Sequence, residues 1–223
     1  MPILPEHFPD KSPLIETDLE SQLSTLLDRL QTDVKLTLLV QNDAKSSEMA
    51  AFLNHIVALS GRLSLRILSP GEDEALDQIL DAALLPATGV GAPGQTPRMV
   101  FHGVPGGKEF SAFAAALLTA GGAARELDKY TLKDIGKIKK PMVMQVCVSL
   151  GCQHCAQLVS HAHRIAWENP LVTAHMIDAN LYPNLVQALK LDRVPLTVIN
   201  GKKQIPGGKT MAELTSLLAK HRD

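Results

Sequence analysis

Hydrophobic residues occur along the chain either in short continuous runs or at helical spacing, and the same order of runs and helical stretches occurs twice. Short, nearly continuous apolar runs, which are typical of buried strands, occupy residues 34–41, 64–69, 141–148 and 172–178. Apolar residues at helical spacing fill the stretch between the two members of each pair. This order predicts a parallel strand pair joined by a right-handed crossover helix in each half.

The last part of each half also shares a pattern. Residues 96–110, TPRMVFHGVPGGKEF, and residues 194–210, VPLTVINGKKQIPGGKT, each contain Pro, a short apolar run, Gly and then PGGK. We expect a Pro-led strand, a glycine turn and a terminal helix in both places. Residues 86–95, PATGVGAPGQ, are rich in Gly and Pro, and we expect them to form a mobile surface loop.

The repeat predicts an α/β protein of two tandem folds, each with a central mixed β-sheet flanked by helices. Helices are also expected ahead of each first strand, at 16–30 and 127–138. Gly121 and Gly122 interrupt the helical pattern between the halves, so we place the first fold at 1–121 and the second at 122–223.

Composition excludes some classes of partner. The 223 residues are 45% hydrophobic and 20% charged, with a formal net charge of -1 and no block of Lys and Arg. We expect a soluble globular protein that does not bind nucleic acid. No apolar run approaches the ~18 residues of a membrane span, and the start of the chain does not read as a signal peptide. We therefore expect no membrane partner and a cytoplasmic location.

Cys152 and Cys155 lie three positions apart where a predicted strand gives way to a helix. A thiolate is the nucleophile in disulfide exchange, and a free cysteine with a pKa of about 8.5 is mostly protonated at neutral pH. We expect Cys152 to open the helix, where unpaired N–H groups and the helix dipole stabilise an anion. Cys155 is then placed to attack a mixed disulfide. His154 either adds positive charge when protonated or is simply an exposed helix residue.

A zinc or cluster half-site and inert packing are the other interpretations of this pair. A metal site needs two further ligands, and His161 and His163 do not fit, because they point in different directions on the helix. We therefore favour a redox dithiol and expect no metal site. The third cysteine, Cys147, lies within an apolar strand and is interpreted as a core residue.

Val194 and Pro195 open the Pro-led strand of the second half. A cis peptide there would leave the backbone of Val194 exposed to pair with a substrate chain, whereas an ordinary trans turn proline would have no such role. The CxxC pair upstream, followed by strand, turn and helix, favours the cis form.

The stretches CQHC and RVPLTVINGK, with this order of strands and helices, resemble the thioredoxin fold, and the duplication resembles a tandem of two such folds. More narrowly, NDAKSSEMAAFL, TPRMVFHGVPGGKEF, AALLTAGG and SLGCQHCAQLV resemble the N-terminal domain of the flavoprotein component of alkyl hydroperoxide reductase. This narrower resemblance covers nearly the whole chain.

The resemblance implies roles for individual residues. It makes Cys152 the attacking thiol, Cys155 its partner and Glu109 an acid-base group that faces the dithiol across a cleft. From the residues alone, Glu109 is equally a favourable charge at a helix start. The resemblance also implies that the first fold has lost its CxxC, and our alignment puts Ser46 and Met49 at those places.

The function that the resemblance implies is a thiol-disulfide oxidoreductase that carries electrons from a thioredoxin-reductase-like flavoprotein to a peroxiredoxin. Because we expect no nucleotide-binding unit within the chain, FAD and NAD(P)H would act only through the partner flavoprotein. No bound cofactor is expected beyond a redox-active Cys152–Cys155 disulfide. The alternatives are a general protein disulfide reductase or isomerase, and a non-catalytic binding adaptor.

Overall fold

A computed structural model of the protein describes residues 7–220. In the first half, helices and strands alternate in the order α1 (Thr17–Leu27), β1 (Val34–Leu39), α2 (Ala44–Ala58), β2 (Leu63–Leu68), α3 (Glu74–Leu80), β3 (Ala87–Gly91), β4 (Met99–His102) and α4 (Phe110–Ala120). The second half continues with α5 (Lys129–Ile135), β5 (Met142–Val148), α6 (Cys155–Glu168), β6 (Val172–Asp178), α7 (Pro183–Leu189), β7 (Leu196–Ile199), β8 (Lys203–Pro206) and α8 (Met211–Ala219). The predicted boundary at 121/122 falls in the connection between α4 and α5.

The strands of the described chain form one mixed sheet in the order β2-β1-β3-β4-β6-β5-β7-β8. Strand β1 pairs parallel with β2 and antiparallel with β3, and β5 pairs in the same way with β6 and β7. The halves meet where β4 runs parallel to β6, with Met99 opposite Ala174 and His102 opposite Ile177. The predicted tandem of mixed-sheet folds is confirmed, but the two sheets join edge to edge into one.

Local signals explain where several helices begin. The side chain of Asp43 accepts a hydrogen bond from the N–H of Ser46 and caps α2. Thr210 and Glu213 form a reciprocal capping box at the start of α8. These caps fix the first residues of α2 and α8. The apolar faces of both helices are buried in the hydrophobic core. Within residues 7–220, no helix is long and apolar enough to cross a membrane.

Residues 86–95 contain a buried strand, so the prediction of a mobile loop is wrong. Every residue of β3 is buried, and the strand lies between β1 and β4. A Cβ at Gly89 would lie 2.6 Å from the Cβ of Pro97, so glycine is required by a close approach inside the sheet. The letters GVGAPG at 89–94 also fit GxGxxG, but β3 leads to another strand and not to the helix that a nucleotide-binding turn needs.

Strand β3 also corrects the correspondence between the prolines of the two halves. The cis peptides Leu85–Pro86 and Val194–Pro195 precede β3 and β7, and each of these strands pairs antiparallel with the first strand of its half. Pro97, which the sequence pattern matched to Pro195, precedes β4, the counterpart of β8. The match between the two PGGK stretches holds, because each lies ahead of its terminal helix.

Three buried histidines lie where the two folds meet. His102 on β4 and His175 on β6 are joined by a 2.9 Å hydrogen bond between Nε2 and Nδ1. Because a carbonyl oxygen only accepts, Nδ1 of His102 donates to the carbonyl of Leu84 at 2.6 Å, and in the neutral ring its Nε2 accepts from Nδ1 of His175. On α6, His163 lies against the ring of Phe101, with centroids 4.6 Å apart, and donates to the carbonyl of Val100.

These histidines predict acid sensitivity of the fold. Burial is the main cause that lowers all three pKa values, that of His163 to about 4. Their neutral forms therefore stabilise the folded state above the unfolded pKa of about 6.5, and this stability is lost as the pH falls below it. When the pH is lowered from about 7.5 to about 5, we expect the titration of His163 alone to reduce the free energy of unfolding by about 2 kcal/mol.

His163→Gln tests this expectation, because glutamine keeps a donor for Val100 and cannot take up the proton. Urea unfolding at both pH values should show a smaller acid loss in His163→Gln than in the unchanged protein. His161→Gln, on the part-exposed side of the same helix, is the matched control and should keep the full loss. Equal acid losses in all three proteins would contradict the assignment.

Candidate functional site

Cys152 lies in the loop that joins β5 to α6, and Cys155 is the first residue of α6. The two cysteines form a disulfide, with Cα atoms 5.5 Å apart. The prediction that Cys152 opens the helix is wrong, since α6 begins at Cys155. The N–H of Cys152 donates instead to the carbonyl of Ser149 at 2.9 Å. The N-terminal end of the helix, with its positive dipole end, thus starts at the second cysteine, three residues after the first.

The two cysteines differ in exposure. Cys152 is half-buried, whereas Cys155 is 0% exposed and packs into the main hydrophobic core. An incoming sulfur atom can therefore reach Cys152 but not Cys155. The third cysteine, Cys147, is buried in β5, and burial raises its pKa to about 11, so it stays a neutral thiol.

The metal interpretation of the pair gains no support. No three His, Cys, Asp or Glu residues in the part of the chain that the structure describes are grouped so that they could hold a metal ion. His161 Nδ1 lies 3.1 Å from the carbonyl of Lys209, and His163 faces the opposite fold. Neither histidine joins the cysteines.

Two surface depressions lie beside the disulfide and share Val194. The first, about 470 Å³, is lined by the exposed His154 together with Val194 and Pro195. The second, about 490 Å³, extends from Ser149 along α7 to Val194. The predicted cis peptide at Val194–Pro195 is present. The structure therefore brings His154, Val194 and Pro195 together in one depression, and their roles stay a prediction.

Glu109 lies in a single 3₁₀ turn, Gly107–Glu109, just ahead of α4. The N–H of its neighbour Lys108 donates to the carbonyl of Leu150 at 3.0 Å, which ties this turn to the CxxC loop. Gly107 makes the approach possible, since its φ is +54° and a Cβ there would lie 2.7 Å from the oxygen of Leu150. The two folds thus meet at these two loops.

The Glu109 carboxyl is buried, so it is not the exposed helix-end charge that local physics alone allows. The side chain is 0% exposed, and neither carboxyl oxygen has a hydrogen-bond partner among the described residues. Burial, followed by the nearby charge of Asp178, raises its pKa to about 7. A carboxyl group with this pKa exchanges its proton readily at neutral pH.

Asp178 is a site residue that the sequence reasoning missed. It ends β6 directly opposite Val148, the last residue of β5, and it is buried. Burial raises the pKa of its carboxyl, while hydrogen bonds from Asn180 lower it. The signal in the sequence was an acidic residue at the end of an apolar strand that lies parallel to the CxxC strand, because the carboxyl ends of parallel strands share one edge of the sheet.

The first fold has no equivalent of the disulfide, because no cysteine precedes Cys147 in the sequence. Ser46 and Met49 are buried in the first turns of α2, the counterpart of α6. The oxygen of Ser46 accepts a hydrogen bond from the N–H of Gln41 at 3.2 Å. That these two residues occupy the places of the lost cysteines stays a prediction.

The fold and the site together define a tandem of two thioredoxin folds with one CxxC disulfide, carried by the second fold. Residues 142–219 match the family model described as a thioredoxin domain. A protein disulfide oxidoreductase from Aeropyrum pernix shares the fold over 92% of both chains, with a TM-score of 0.80 and 16% identity.

Within this class, the chain is similar to AhpF, a component of alkyl hydroperoxide reductase. A structure of AhpF from Enterococcus faecalis has a TM-score of 0.85 and 29% identity, and the match covers 91% of this chain and 98% of that one. The corresponding protein of Staphylococcus aureus is 27% identical over 94% of this chain. The chain spans only 39% of the length of that curated relative.

Proposed function

We propose that this chain is a dithiol carrier that takes electrons from a thioredoxin-reductase-like flavoprotein and passes them to the disulfide of a peroxiredoxin. The observation that supports this function is the Cys152–Cys155 disulfide, of which only Cys152 is accessible. The similarity to AhpF suggests the donor and the acceptor. In this proposal the carrier acts in the cytoplasm, and FAD and NAD(P)H bind the flavoprotein.

Electron transfer to the acceptor takes two exchange steps. The thiolate of Cys152 attacks one sulfur of the acceptor disulfide, forming a mixed disulfide and releasing the other acceptor sulfur as a thiol after it gains a proton. Cys155 then loses its proton and attacks the sulfur of Cys152. This step closes the Cys152–Cys155 disulfide and releases the second acceptor thiol, so that two electrons have moved to the acceptor.

In this proposal the residues around the disulfide have supporting roles. Val194 lines both depressions, and this supports a role for its backbone in pairing with an extended acceptor segment that approaches Cys152. The exposed His154 adds positive charge beside Cys152 when it is protonated, which favours the thiolate. Glu109 supplies and removes protons as the buried thiol of Cys155 leaves and attacks.

A reconstituted pathway tests the proposal. Mixing this protein with NADH or NADPH, a thioredoxin-reductase-like flavoprotein and a peroxiredoxin from the same source should give peroxide-dependent nicotinamide oxidation. The reaction is followed by near-ultraviolet absorbance while each component is left out in turn. We expect the signal to fall to background when this protein is left out or when Cys152→Ser replaces it.

Other outcomes would favour the alternatives. Peroxide consumption that proceeds equally well without this protein rejects the carrier function. Reduction of insulin without any transfer to the peroxiredoxin would favour a general disulfide reductase or isomerase. A protein that binds its partners while the thiol count at the pair never changes would be an adaptor.

A further inference from the structure

Two buried carboxyl groups lie next to the CxxC loop, one from each fold. Glu109 precedes α4 of the first fold, and Lys108 beside it is hydrogen-bonded to Leu150 of the loop. Asp178 ends β6 of the second fold, opposite the residue from which the loop departs. Glu109 is 0% exposed and Asp178 is 4% exposed. Asp178 also lines a cavity of about 450 Å³ together with Gly106, Gly107 and Leu150.

The charged groups around Glu109 are two carboxylates and two ammonium groups, and of these four only the Asp178 carboxylate is buried. The titratable and charged groups next to this cavity are Glu48 on its rim, Lys45 on α2, Lys108, Asp178 and Tyr182. The ammonium of Lys45 is held by the carbonyl of Leu181 at 2.7 Å and lies over the ring of Tyr182. Lys108 is exposed. Within residues 7–220, neither Glu109 nor Asp178 forms an ion pair with a basic side chain.

We propose that Asp178 is a positioning residue whose carboxylate, together with the burial of Glu109, favours the protonated form of Glu109, so that Glu109 can deliver its proton to Cys155. This inference rests on the proposed function. A donor thiolate attacks Cys152, the Cys152–Cys155 bond breaks, and the electron pair of that bond leaves on the Cys155 sulfur. Glu109 gives its proton to this sulfur and becomes a carboxylate. It regains the proton when the thiol of Cys155 attacks in the opposite half of the cycle.

A like charge suits this task better than a cation would. A cation beside Glu109 would favour the carboxylate and remove the proton before it is needed, whereas a second carboxylate disfavours a second negative charge. The N–H and the side-chain amide of Asn180 both donate to Asp178 at 3.1 Å and favour its ionised form, against the larger effect of burial. The two carboxyls therefore have different environments, because hydrogen bonds from Asn180 reach Asp178 and neither oxygen of Glu109 has a partner among the described residues.

Asp178→Asn separates this role from a merely structural one. Asp178 also caps the short 3₁₀ helix Ala179–Leu181 through its hydrogen bond from Asn180, and asparagine can accept the same bond. The substitution removes the charge and keeps the cap. Glu48→Gln is the matched control, because Glu48 is an exposed carboxylate on the rim of the same cavity.

The first measurement does not depend on activity. Carbon-13 NMR of side-chain carboxyls in the oxidised protein, assigned with Glu109→Gln, should show Glu109 titrating near pH 7, in line with its pKa of about 7. The midpoint should move to lower pH in Asp178→Asn and stay in place in Glu48→Gln. An unmoved midpoint in Asp178→Asn overturns the proposal, whether or not the carrier function stands.

The second measurement is the rate at which dithiothreitol reduces the disulfide, followed by alkylation and mass spectrometry. We expect Asp178→Asn to react about threefold more slowly than the unchanged protein at about pH 7 and at an equal rate at about pH 5, where Glu109 is protonated in both. Rates that are equal at both pH values, or slower by the same factor at both, overturn the proposal. If both measurements give the expected results but the protein reduces no protein acceptor, only the proposed function is rejected.

Discussion

Cys152→Ser is expected to reduce disulfide exchange to the rate of the uncatalysed control. The substitution removes the accessible sulfur, and the remaining cysteine of the pair is 0% exposed. Cys155→Ser should leave the first attack possible and block the second, so that a mixed disulfide between Cys152 and the acceptor accumulates. Insulin reduction measures the loss in Cys152→Ser, and intact mass under non-reducing conditions detects the trapped species in Cys155→Ser.

Cys147→Ala provides the matched control for both variants. Its thiol is buried in β5 and held neutral by a raised pKa of about 11, so its removal should leave the exchange rate unchanged. Cys152→Ser protein that reduces insulin at the native rate would contradict the assigned nucleophile. A mixed disulfide in Cys152→Ser but not in Cys155→Ser would exchange the roles of the two cysteines.

The order of elements in each half was predictable because local periodicity encodes it. The apolar runs at 141–148 and 172–178 became β5 and β6 within a residue, and the helical spacing between them became α6. Strand β3 was missed because glycine and proline within residues 86–95 are typical of a loop. The strand is specified by its pairing with β1, which is distant in sequence, and hydrophobic spacing within residues 86–95 does not report that pairing.

The candidate site was predictable only in part, for a related reason. CxxC and the Pro-led strand are short local motifs, so the sequence alone predicted the Cys152–Cys155 disulfide and the cis peptide at Pro195. The turn that holds Glu109 lies against Leu150 of the other fold, and this approach is possible because Gly107 has no side chain. The two sheets join because β4 of the first fold pairs with β6 of the second. The alternation of apolar residues within either strand does not specify this partner.

Glu109→Gln is expected to slow exchange by about 10²-fold and, at the same time, to stabilise the fold at alkaline pH. The rate falls because glutamine cannot transfer the proton of Cys155. Burial raises the pKa of Glu109 to about 7 in the folded state, above the unfolded value of about 4.5. Its contribution to stability is therefore complete below the unfolded pKa and is lost as the pH rises through about 7.

A neutral amide at position 109 does not titrate, so Glu109→Gln does not lose stability in this way as the pH rises. Urea unfolding at about pH 8 should give Glu109→Gln a higher free energy of unfolding than the unchanged protein, by on the order of 2 kcal/mol. A helix-end charge with no catalytic role would show the opposite pattern, an unchanged rate and a stability loss of about 0.5 kcal/mol. Stopped-flow reduction across pH, with Glu48→Gln as the control that keeps the native profile, distinguishes the two roles.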